Sequence, residues 1–118
     1  MKRKNSRFST FNDGMLYVCK PESERTSFNA VKNPTHKTDI AKIEKLAFCE
    51  MSKREEDMDF AESQGRTLTT KVKTRLRENI SKLNQILIDK TLYSIIKIDK
   101  DRAREEMYIY LEEVRELS

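Results

Sequence analysis

From Leu68 to Leu76 the chain alternates without a break, with Leu68, Thr70, Val72, Thr74 and Leu76 on one parity and Thr69, Lys71, Lys73 and Arg75 on the other. A period of two belongs to a strand with one face against a core and the other toward water. It predicts a basic row (Lys71, Lys73, Arg75) on the outer face of that strand. Downstream, Ile86-Leu87-Ile88, the pair Asp89-Lys90, and Leu92 to Ile98 form a hairpin pattern rich in β-branched residues. Upstream, Asn12-Asp13-Gly14 is a turn cluster and Met15 to Cys19 a short strand, ended by Pro21, which has no N–H for a ladder.

Two segments support competing readings. In residues 42–64, Ile43, Ala47 and Met51 can share a helix face with Met58 and Ala61. Alternatively, Leu46 to Met51 is a buried strand ending at Ser52. Ser52 and Glu55 then form a capping box for a following helix that Gly65 terminates. On that second reading Met58 and Ala61 face inward, and the carboxylates of Glu55, Glu56, Asp57, Asp59 and Glu62 stay solvated. At the C-terminus, Met107, Ile109 and Leu111 alternate with Tyr108 and Tyr110 as in a strand. Yet Ala103, Met107, Tyr110, Leu111, Val114 and Leu117 also trace a helical stripe, which local propensity slightly favours.

A chain of 118 residues is expected to be one domain with a modest core, because 36% of it is hydrophobic and 37% charged. No apolar run approaches the roughly 20 residues of a bilayer-spanning helix, and the basic start MKRKNSRFST lacks the apolar segment of a secretory signal. No membrane association is expected. Cys19 and Cys49 make no disulfide framework and read as free, partly buried thiols in a reducing compartment. His36, the one histidine, has no Cys or acid at ligand spacing, and two glycines cannot form a phosphate cradle. The acidic run lacks the glycine and alternating ligands of a calcium loop, and no serine stands in a nucleophile elbow. Neither a catalytic residue, nor a metal, nor a cofactor is expected.

The net charge of +4 is unevenly placed: all of it lies in residues 1–40, while 41–118 balance to zero. Within the balanced part, Arg66 to Lys82 is basic and the stretch from Asp99 acidic. Such a division suits head-to-tail association, where charge sets register and partner choice more than affinity. It equally fits two solvated surfaces. The polar segment Glu22-Ser23-Glu24-Arg25-Thr26-Ser27-Phe28-Asn29-Ala30-Val31-Lys32-Asn33-Pro34-Thr35-His36-Lys37-Thr38-Asp39 is long for a loop in a compact domain, a length that usually accompanies function or disorder. Residues 1–14 read as a flexible arm.

Three segments in order, KREEDMDFAESQGRTLTTKVKTRL (Lys53–Leu76), TLYSIIKID (Thr91–Asp99) and REEMYIYLEEV (Arg104–Val114), resemble the head–tail joining proteins of tailed bacteriophages, also called head-closure, head-completion or stopper proteins. FNDGMLYVCK and TSFNAVKN extend the likeness more loosely toward the N-terminus. The resemblance implies a mainly β fold, a small β-barrel with one short helix over about 53–64, the long polar loop 22–39, and strand rather than helix at the C-terminus. It implies a virion protein assembled in the bacterial host cytoplasm. Copies would form a homo-oligomeric ring, commonly of about twelve, that free subunits, monomers in solution, need not build alone. That ring would sit below the portal and its adaptor protein, close the channel through which DNA passes, and offer the tail protein a docking surface. On this analogy Glu22–Asp39 is a channel-gating loop, and Lys71, Lys73 and Arg75 meet a neighbouring subunit or the adaptor. A tail-side ring or tail-terminator protein, and a small basic nucleic-acid-binding barrel, are the alternative expectations.

Overall fold

A computed structural model describes residues 11–20 and 41–117. The polar loop 22–39 and the arm residues 1–10 lie outside the described residues. The elements in chain order are β1 (Gly14–Cys19), β2 (Lys42–Met51), α1 (Glu55–Ser63), β3 (Thr70–Arg75), β4 (Gln85–Ile88), β5 (Thr91–Asp101) and β6 (Glu106–Glu116). Six antiparallel strands close into a barrel in the order β1-β2-β3-β6-β5-β4, with β4 pairing back to β1. Closure gives each described strand a neighbour on both sides, although residues 42–47 of β2 and 95–101 of β5 run beyond their β3 and β4 ladders.

Alternation carries the fold. Leu16 and Val18 of β1, Leu46 and Phe48 of β2, Val72 of β3, Ile86 of β4, Ile95 of β5, and Met107, Ile109 and Leu111 of β6 fill the barrel interior together with Ile80 from the β3–β4 connection. Each such side chain contributes about 1.5–3 kcal/mol through burial. The C-terminal ambiguity therefore resolves as strand. β6 lies between β3 and β5, and its odd-numbered residues supply three of the most completely buried side chains. A helix from Asp99 onward would forfeit both ladders.

The ends are pinned by specific polar contacts. Asp13 donates its N–H to the Phe48 carbonyl (3.0 Å) and accepts the Glu50 N–H on its carboxylate (2.7 Å), which holds the turn before β1. Gly14 has φ 149°, and a Cβ there would come within 3.2 Å of the Phe48 ring. Asn84 donates its side-chain amide to the Cys19 carbonyl (2.9 Å) and accepts the Ser81 N–H (2.9 Å), tying the β3–β4 connection to the end of β1. In the Asp89-Lys90 turn Asp89 takes a positive φ of 54°, a conformation Asp tolerates.

Three details correct the sequence reading. The helix begins at Glu55 with Arg54 as its N-cap rather than at a Ser52–Glu55 box, because the Asp57 carboxylate accepts the Arg54 backbone N–H (3.1 Å). Met58 is exposed while Asp57 is buried, the reverse of the inward Met58 and solvated acids expected. Leu68 precedes β3 and packs beneath α1 with Ala61, Ile96 and Tyr110, outside the barrel interior. Gly65 does stop the helix: at φ 70° it donates to Glu62, and Arg66 donates to Ala61, the paired bonds of a Schellman ending.

Candidate functional site

The polar chemistry of the described residues concentrates where α1 folds back onto β3, β6 and β5. On a helix, Asp57 and Ala61 stand four residues apart and share a face, and both are buried against the barrel. Lys71 is the outward residue of β3 opposite Tyr110, and the helix covers it. Its Nζ donates to Asp57 Oδ2 at 3.0 Å, with the two side chains 8% and 2% exposed. The Arg54 guanidinium donates to both Asp57 oxygens (3.3 and 3.2 Å). Burial acts to raise the Asp57 carboxyl, but the hydrogen bonds from Arg54 and Lys71 outweigh it and hold the group at about 2. Asp57 is thus a carboxylate with two cationic donors, one on its own helix and one on the barrel.

Aromatic rings frame this ion pair. Lys71 Nζ lies 5.0 Å from the Tyr110 ring centroid and 5.5 Å from that of Tyr108, while Lys97 Nζ lies 4.7 Å from Tyr110 and 4.6 Å from Phe60 of the helix. The Tyr110 hydroxyl donates to Asp99 (3.0 Å); burial, and then that carboxylate, push the phenol well above its ordinary range. A β-bulge between Ile95 and Lys97 puts the consecutive residues Ile96 and Lys97 both on the outer side beneath the helix, while Ile95 and Ile98 face the barrel interior. A cleft beside the joint is lined by Arg54, Lys71, Asp99, Asp101, Tyr108 and Tyr110, among others. Arg54 and Lys71 both pair with Asp57, Asp99 pairs with Lys97 and Asp101 with Arg104, and the Asp57 bonds fasten the helix to the barrel.

The three expected contact residues part company. Lys71 is buried and consumed by Asp57, so it offers no contact to another subunit, and the exposed basic row is corrected at its first member. Lys73 is half-buried and Arg75 exposed. Both lie 5.8 Å from the ring of Phe11, which packs over their end of β3. The channel-gating loop Glu22–Asp39 lies outside the described residues. The described residues on either side of it, Cys19 and Lys42, are register partners across β1 and β2.

Away from the helix, the outer face of β1 and β2 is a second feature that sequence reasoning left unmarked. Tyr17 carries Lys42 at 4.5 Å and Lys45 at 5.8 Å over its ring. A shallow depression there is lined by Met15, Tyr17, Lys42, Lys45, Leu87 and Asp89, with Met15 and Ile43 exposed at 44% and 49%. The signal was present in the outward parity of Tyr17 and Lys45, but only the β1–β2 register sets them side by side.

Among the described residues no three His, Cys, Asp or Glu side chains converge as a metal site would require, and no described helix is long and apolar enough to cross a membrane. Among the described residues neither Cys19 nor Cys49 takes part in a disulfide, the first being buried and the second half-buried. No protein-family model matches the chain, and no curated protein matches it.

Proposed function

We propose that the chain is a head–tail joining protein of a tailed bacteriophage: a non-enzymatic virion subunit that rings the channel below the portal, closes the filled head and presents a surface to the tail. The observation that carries this reading is the architecture itself. A barrel whose interior is occupied by its own side chains has its contact surfaces on the outside. The order of strands and helix is the one that the three sequence segments resembling this family imply. A long polar insertion at one end of such a barrel is suited to reach an axial channel without entering the core, and Glu22–Asp39 is proposed to gate it. Lys73 and Arg75, on the outer face of β3, are proposed to contact the adaptor. Fold alone does not assign function; the order of the sequence segments supplies the rest of the support.

The test is genetic and physical together. In the phage or prophage that encodes the chain, disrupting its gene is expected to leave heads that package DNA and then lose it, with tails formed but unattached. Adding the purified chain to freshly filled heads is expected to restore DNA retention. Stable, infectious particles made without the chain would overturn the reading.

A further inference from the structure

In the barrel order β1-β2-β3-β6-β5-β4, β1 and β6 are diametrically opposed. The helix α1 covers β6 and its neighbours, so the outer face of β1 and β2 lies on the far side of the molecule from α1. These two opposite faces carry opposite chemistry. On α1, Glu55, Glu56, Asp59 and Glu62 are exposed along one ridge, flanked by Met58 at 42% and Phe60 at 39% exposure. Glu56 has Arg54 at 3.9 Å, whereas Glu55, Asp59 and Glu62 have no cation within ion-pair distance among the described residues. On the far face, Lys42 and Lys45 are exposed beside Met15, Ile43 and the Tyr17 ring, again with no carboxylate within ion-pair distance among the described residues. Among the described residues, Asp89 is the one acid lining that depression.

We infer that a second copy of this chain docks its α1 ridge into the β1–β2 depression, the acids of one copy meeting Lys42 and Lys45 of the next and the exposed Met58 and Phe60 meeting Met15 and Ile43. Charge complementarity between two faces of one subunit identifies the occupant as another copy. Faces on opposite sides make the contact heterologous, which propagates head to tail and closes only if the rotation per subunit allows. This inference rests on the ring reading above for closure, and names the surfaces that such a ring would join. The shared Tyr17 ring orders both lysines before contact, which lowers the cost of fixing them at an interface.

The test uses the full chain and charge exchange. Wild type, Lys42→Glu/Lys45→Glu, Glu55→Lys/Asp59→Lys/Glu62→Lys and the combined variant are compared by analytical ultracentrifugation over a concentration series at low and high salt. Circular dichroism confirms that each is folded, as expected for changes at exposed positions. Wild type is expected to self-associate more strongly at low salt, and each single-face variant to lose about tenfold or more in association constant. The combined variant, and a mixture of the two single-face variants, are expected to recover it. As a second readout, Ile43→Cys and Met58→Cys in a Cys49→Ser chain are expected to form a disulfide ladder, with neither substitution alone extending beyond a dimer. Three results would each overturn the inference: a wild-type chain that is monomeric throughout together with a double-cysteine variant that forms no ladder, single-face variants that associate like wild type, or a Lys42/Lys45 face whose reversal abolishes DNA binding without changing association. Particles that retain DNA without the chain would sink the connector reading and leave this contact standing. Unchanged association in a chain that does close heads would sink only the contact.

Discussion

Asp57 is the residue on which the helix–barrel joint turns. Removing one member of a buried pair leaves the other charge without a partner, a loss of about 3–5 kcal/mol. Asp57→Ala is therefore expected to lower unfolding free energy by about that amount in urea titrations, and adding Lys71→Met to recover most of it. A loss below about 1 kcal/mol would show that the pair is not the fastening. The carboxyl of Asp57 stands at about 2 in the folded chain, below its ordinary value. Its stabilisation is thus complete above the unfolded value, near 4, and is lost as pH falls from there toward about 2. Glu112, held low by its bond from Arg66, acts with the same sign. Asp57→Asn should flatten the acid limb of stability against pH; an unchanged slope would assign that limb to other groups. This role was not legible in the sequence, where Asp57 is one acid among five. The helical spacing to Ala61 marks its face, but its partner Lys71 is 14 residues away and meets it only once the helix has folded back.

At the scale of elements, periodicity settled some segments and left others open for a physical reason. The strand at residues 70–75 could be read directly from its alternation, and the β4–β5 hairpin from β-branched residues on both sides of a turn. The segment from Asp99 could not, because its apolar residues satisfy both periods. The strand prevails through contacts with β3 and β5 that lie far apart in the chain, which local propensity cannot register. Two sites broke the simple pattern: Leu68 sits before the strand it was assigned to, and a bulge after Ile96 shifts parity so that Lys97 joins Ile96 on the outside and Ile98 turns inward. The interior role of β6 has a direct consequence. Ile109→Ala is expected to cost about 2–5 kcal/mol by opening a cavity in the barrel, whereas Val114→Ala, at a position 40% exposed, should stay within about 0.5 kcal/mol. Equal effects in thermal or urea unfolding would contradict the placement of the two faces.

For the whole molecule, the closed barrel separates stability from contact. The core is internal, the helix is fastened by its own ion pair, and the proposed contacts fall on the outer faces. The described residues flanking the β1–β2 connection, Cys19 and Lys42, are already paired in the ladder. Shortening residues 22–39 to a tight turn is therefore expected to leave unfolding free energy within about 1 kcal/mol, since loop length enters closure entropy only logarithmically. In filled heads the same deletion should release DNA, and heads that retain it would remove the gating role. For the proposed connector role, whether and where the chain sits in a phage particle is the most direct measurement of all. Cryo-electron microscopy of DNA-filled heads, without symmetry averaging imposed in advance, should show a ring of these barrels beneath the portal and its adaptor, with the 22–39 segments directed at the axis. Particles whose connector density accommodates no copy of this barrel, with the chain absent from their protein content, would contradict it.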